Sequence, residues 1–170
     1  PSAVVLVATV RAIKYHGGVQ LAALGSEDLP ALERGLVNLE RHLYNLREVF
    51  GMPCVVALNH FTSDTEAEHA LLRERIGLLG VAVHTARHWA EGGKGAVSLA
   101  QEVVDLCDQP STLRFAYEDS DTLWEKVRKL ATRTYGAAEV RAAGGRVERI
   151  ALTEDRSTTG LLTRIRRTSD

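Results

Sequence analysis

A chain of 170 residues, 45% apolar and 25% charged, is long enough for one ordinary core and has the make-up of a soluble globular domain. Its formal charge of -1 hides no long single-sign block, so nothing calls for nucleic acid or an anionic membrane as partner, and a small or polar ligand is left open. Cys54 and Cys107 are the only cysteines, and both fall in apolar periodic segments, which suits buried, reduced thiols in the cytoplasm better than a disulfide framework.

In chain order, the apolar stretch at residues 3–10 is too short to span a bilayer, carries no leader-like flanks and reads as a strand. Starting on Pro1 and entering that strand at once, the segment is expected to begin inside a domain. Leu29, Leu32, Leu36, Leu39, Leu43, Leu46 and Phe50 alternate spacings of three and four, which puts one apolar stripe on a long helix opened by Ser26, Asp28 and Pro30. Gly51 and Pro53 stop it, and the unbroken apolar run at residues 54–58 predicts a strand buried on both faces.

Ser63, Asp64 and Thr65, with Glu66 and Glu68, can cap a helix that runs to about Leu79, and a short strand is expected at residues 81–83. A glycine-rich loop, Gly92-Gly93-Lys94-Gly95, leads into a helix to about Cys107. A further strand is expected at residues 113–117 and a helix at residues 121–135. Strand and helix alternation of this kind predicts an α/β fold, a parallel sheet with helices on both faces. Beyond Ala137 the periodicity weakens, so residues 1–137 form the α/β segment and residues 138–170 are expected to be a divergent, disordered tail.

In open α/β sheets ligands bind beyond the carboxyl ends of the strands, which directs attention to the segments after Leu58 and after Val83. Phe61 and Trp89 fall there, and two aromatic faces can grip a flat heterocycle, although spacing alone leaves ordinary packing as the commoner explanation. Asn59, Thr85, Gly92 and Gly93 lie in the same loops. Asn59 and Asp64 faintly echo a base-reading strand end, but turn and capping roles fit these residue types better. His60, His84 and His88 have no spacing that converges their rings, so no metal site is expected. Gly95 follows Lys94 where a phosphate loop requires Ser or Thr, and no stretch satisfies the phosphate-loop pattern. Neither Ser98 nor Cys54 stands in a nucleophile setting, so no catalytic residue is assigned.

Read together, the pieces form an ordered series. Residues 4–18 carry Val-Val-Leu-Val-Ala-Thr-Val-Arg-Ala-Ile-Lys-Tyr-His-Gly-Gly, and residues 35–42 carry Gly-Leu-Val-Asn-Leu-Glu-Arg-His. Residues 55–65 carry Val-Val-Ala-Leu-Asn-His-Phe-Thr-Ser-Asp-Thr, with a W-A-x-G-G-x-G segment from Trp89 to Gly95 and Tyr135-Gly136-Ala137 closing the last helix. This series resembles the formyltetrahydrofolate synthetases (formate:tetrahydrofolate ligases) over residues 4–137. The resemblance implies a P-loop NTPase-like architecture, here incomplete and without its phosphate loop.

It also implies formation of 10-formyltetrahydrofolate from formate, ATP and tetrahydrofolate through formyl phosphate, with Mg accompanying ATP. Phe61 and Trp89 match the aromatic pair that sandwiches the pterin. Catalytic groups are expected outside the segment, which should be inactive alone, and the intact enzyme is open to homo-oligomer formation. A non-catalytic folate-binding or regulatory module of the same fold is the alternative. Ala86-Arg87-His88 replaces the family's usual Ser-Glu-Val, and Thr62 follows Phe61, so the polar rim differs from the pattern. The family's G-Y-G-x-L-P-V continuation is absent.

Overall fold

The structure, a computed structural model, describes residues 1–138. β1 (Val4–Ala8) gives way within one residue to α1 (Val10–His16), because the Thr9 side chain accepts a hydrogen bond from the Ala12 N–H at 3.0 Å and caps the helix. The apolar run that reads as one strand to Val10 is thus divided between two elements.

α2 (Leu29–Tyr44) starts where expected: Asp28 accepts from the Ala31 N–H at 2.9 Å, and Pro30 occupies the first turn. Its stripe of Leu32, Leu36, Leu39 and Leu43 is buried, and a π-helical turn (Asn45–Val49) carries the chain on to Phe50. α1 and α2 meet backbone to backbone. A β-carbon on Gly35 would stand 1.8 Å from the Ile13 carbonyl oxygen, and one on Gly17 would stand 1.8 Å from that of Ala31.

β2 (Cys54–Asn59) is buried up to Leu58 and runs parallel to β1, with Val4 opposite Cys54 and Ala8 opposite Leu58. β3 (Val83–Ala86) adds on the other side, again parallel, giving the order β1-β2-β3. It begins two residues later than the sequence reading has it. Val81 is spent in the core, and the Ala82 carbonyl already accepts from the Val56 N–H at 2.9 Å.

Along β2, Cys54, Val56 and Leu58 join the core formed with α1, α2 and Leu72 and Ile76 of α3 (Glu66–Gly77). Val55 and Ala57 alternate to the opposite face. α5 (Val97–Cys107) packs on β2 and β3, and Val5 and Val7 of β1 stay exposed. The result is the expected parallel α/β fold with helices around the sheet.

α3 opens with a capping box: the Glu68 N–H donates to Thr65 Oγ1 at 3.2 Å and the Thr65 N–H to Glu68 Oε2 at 3.0 Å. The other Glu68 oxygen accepts from Lys14 Nζ at 2.7 Å, and Lys14 also donates to the Ser26 carbonyl at 2.7 Å.

Two expectations are corrected. Residues 113–117 form no strand: Leu113 and Phe115 are exposed, and the Arg114 N–H reaches the Phe50 carbonyl at 2.9 Å. This segment lies against the turn after α2, where Gly51 lets the Thr112 carbonyl approach, and it pairs with no strand of the sheet. Cys107 is exposed at the end of α5, while Cys54 is buried in β2. α6 (Leu123–Lys129) repeats the capping box with Thr122 and Glu125 and ends in a π-helical turn (Leu130–Thr134) tied to α2, where Arg41 Nε and Asn45 Nδ2 donate to the Thr134 carbonyl. Among the described residues no helix is long and apolar enough to cross a membrane. Beyond residue 138, the expectation of a divergent, disordered tail over residues 138–170 lies outside the described residues.

Candidate functional site

The register of the sheet brings the candidate loops together. Asn59 and Ala86, the last residues of β2 and β3, are direct partners across the ladder, and the pairing extends one step further through the His60 N–H to the Ala86 carbonyl at 3.2 Å. Phe61 lies two residues past Asn59. Trp89 lies three residues past Ala86, in the single helical turn α4 (His88–Glu91). Both therefore leave the same carboxyl edge from adjacent strands. Neither ring belongs to the core: Phe61 is 42% exposed and Trp89 92%.

Local turns hold the two loops. The Phe61 N–H donates to Asp64 Oδ2 at 2.9 Å and the Asp64 N–H to the Phe61 carbonyl at 2.9 Å, a reciprocal turn that gives Asp64 the structural role its residue type suggests. Asn59 and Thr85, expected in the loops, belong instead to the ends of β2 and β3, and Thr85 Oγ1 accepts from Arg73 Nη2 at 3.2 Å, which ties β3 to α3. Gly92 adopts φ +60°, and a 3₁₀ turn (Gly92–Ala96) returns the chain so closely that a β-carbon on Gly95 would meet the Arg87 carbonyl at 2.6 Å. Open space surrounds Gly93. The glycines thus shape a tight loop, and the Arg87 N–H closes it on the Gly95 carbonyl at 3.0 Å.

Arg11 belongs to this edge although the sequence reading gave it no role. Its guanidinium lies 5.6 Å from the centroid of the Phe61 ring, within cation–π range, and its Nε is buried without a hydrogen-bond partner among the described residues. The signal was its place two residues after the capping Thr9. Of the histidines singled out by sequence, His84 faces Glu102 of α5 at 3.4 Å, while His60 meets Asp64 and His69 of α3 instead of His84 or His88. Two concavities lie on other parts of the surface: one is lined by Tyr44, Glu48, Arg114, Tyr117 and Arg133, the other by His16, Arg34, Asn38, Arg41 and Tyr135.

Fold and sheet edge define a parallel α/β protein whose aromatic-bearing loops leave neighbouring strand ends. The family model for formate–tetrahydrofolate ligase matches residues 1–169. Among curated relatives of that name, the protein from Methylococcus capsulatus is 57% identical over 143 residues, covering 84% of this chain and 26% of the relative. That from Symbiobacterium thermophilum is 54% identical over 137 residues, covering 81% and 25%. That from Methylibium petroleiphilum is 50% identical over 147 residues, covering 84% and 26%.

The chain belongs to the formate–tetrahydrofolate ligase family. It spans about a quarter of the length of the curated relatives it matches.

Proposed function

We propose that this segment supplies the pterin-gripping part of the folate site in an ATP-dependent formate–tetrahydrofolate ligase. The carrying observation is the pair of exposed aromatics, Phe61 and Trp89, on loops that start from register partners at the carboxyl edge of a parallel sheet. Exposed aromatic rings forfeit burial that a core position would give them, and a flat bicyclic ligand between them restores it. Asn59, Thr85, Gly92 and Gly93 form the floor and rim of that crevice, and Arg11 stands over one face of Phe61.

In this reading the complete polypeptide joins formate to tetrahydrofolate with ATP and Mg, through formyl phosphate, and the groups that handle the phosphates are supplied by other parts of it. No stretch of the 170-residue sequence matches the phosphate-loop pattern, so positioning of ATP is not assigned to this segment. The free thiols Cys54 and Cys107 suit a reducing cytoplasm, and self-association belongs to the intact enzyme.

Steady-state kinetics of the complete polypeptide test this. Trp89→Ala should raise the apparent KM for tetrahydrofolate by about tenfold or more while leaving that for ATP nearly unchanged, since the lost contact is with the pterin. An equal rise for both substrates would sink the clamp. The 170-residue chain by itself should give no 10-formyltetrahydrofolate. Folate binding without turnover in the complete polypeptide would favour a non-catalytic binding module.

A further inference from the structure

At the root of the Phe61 turn, three side chains that are separate in sequence converge: His60, just past the end of β2, Asp64, in the turn, and His69, in the first turns of α3. Each offers a ligand atom, and these atoms all lie within 4.8 Å of one another. His69 Nε2 is 3.5 Å from Asp64 Oδ2, His60 Nδ1 is 4.0 Å from the same oxygen, and the two imidazole rings stand edge to face with centroids 5.3 Å apart. The Asp64 side chain is 1% exposed and that of His69 is fully buried, whereas His60 keeps 25% exposure and leaves one side open.

Four polar atoms of this cluster lack partners among the described residues. His69 Nδ1 and Nε2, Asp64 Oδ1 and His60 Nδ1 are buried and make no hydrogen bond among the described residues. Asp64 Oδ2 accepts the Phe61 N–H, which fixes the carboxylate in place with its second oxygen free. A buried imidazole whose N–H and nitrogen lone pair are both idle beside a carboxylate is costly unless something takes them up.

We propose that His60, Asp64 and His69 form a binding site for a divalent transition-metal ion of the zinc class. Two imidazoles and one carboxylate match the nitrogen–oxygen donor set that such ions prefer, and magnesium, which prefers oxygen, is disfavoured there. Zinc holds nitrogen and carboxylate oxygen at about 2.0–2.2 Å, so its ligand atoms lie roughly 3.3 Å apart, and groups now within 4.8 Å of one another need close by no more than about 1.5 Å to reach that. The exposed flank of His60 leaves the fourth position to water. Because Asp64 and His60 bracket Phe61, the ion would pin the turn that carries this ring. The site does not rest on the folate reading.

Isothermal titration of metal-stripped chain with Zn²⁺, and absorption spectroscopy with Co²⁺ in its place, test the proposal. One Zn²⁺ per chain is expected, together with the intense visible bands of four-coordinate Co²⁺. His60→Ala, at the partly exposed ligand, should retain the fold by circular dichroism and weaken binding at least about tenfold, as should His69→Gln. His84→Ala, outside the cluster, should leave binding unchanged. Absence of saturable binding in the unsubstituted chain, binding unaltered by His60→Ala, or a weak six-coordinate Co²⁺ spectrum would each overturn it.

Discussion

Lys14 Nζ sits 2.7 Å from Glu68 Oε1 with both side chains withdrawn from solvent, 1% and 0% exposed, so that an ion pair joins α1 to the first turn of α3. Glu68 is saturated on both oxygens: one takes Lys14 and the Asp28 N–H, the other takes the Thr65 N–H of the capping box.

Removing one partner of such a pair strands the other charge in the core. Lys14→Met is therefore expected to destabilise the chain by about 3–5 kcal/mol in urea unfolding. Adding Glu68→Leu should recover part of that but not all, because the cap of α3 and the Asp28 N–H lose their acceptor. Full recovery would mean that Glu68 does nothing beyond neutralising Lys14.

The glycines on the α1–α2 contact differ from those on surfaces. Gly35→Ala places a methyl group 1.8 Å from a backbone oxygen that cannot swing aside, and a loss of about 1–3 kcal/mol or more is expected from the forced separation of the helices. Gly77→Ala, at the end of α3 with open space around it, should instead raise stability by roughly 0.5–1 kcal/mol. Urea midpoints of the two variants moving in the same direction would contradict this.

The two thiols should part company under alkylation. Burial pushes the Cys54 thiol up, with Arg47 offsetting only some of that, while Cys107 is exposed. Iodoacetamide at neutral pH is expected to modify Cys107 first, with Cys54 reacting only in denaturant, as mass spectrometry of the timed digest would show.

α6 should weaken in acid. Hydrogen bonding from Lys129, then from the Glu118 N–H, holds the Asp121 carboxyl below its ordinary value of 3.8, and the Thr122 hydroxyl and N–H do the same for Glu125, below 4.5. Carboxyls depressed on folding stabilise the folded state above their unfolded pKa, and that support is lost as pH falls through the folded values. Side-chain carboxyl shifts followed by NMR should titrate below those ordinary values, and Asp121→Asn should flatten the acid response of the amides at residues 123–129.

Much of the fold was legible because its signals are local. The leucine stripe of α2, the unbroken run of β2 and the Thr65–Glu68 box each fit within one element, and each sits in the structure as expected. Where a second element decides the outcome, the sequence misled. Thr9 ends β1 early by capping a helix only seven residues long, and Leu113 and Phe115 have strand-like character without a neighbour to pair with. The edge position of Phe61 and Trp89 followed from counting past strand ends. His69 was invisible by that method, since only the packing of α3 brings it to His60.

The glycine contact between α1 and α2 has a mechanical consequence. Where Gly17 meets Ala31 and Gly35 meets Ile13, no side chain separates the two backbones to absorb relative sliding, so α1 is geared to α2. α1 carries Arg11 to the face of Phe61 and Lys14 to the base of α3, which bears His69. A small displacement of the long helix would thus reach the aromatic ring at the sheet edge and the histidine beneath it together, making α1 a rigid coupling rod between the body of the domain and its aromatic-bearing edge.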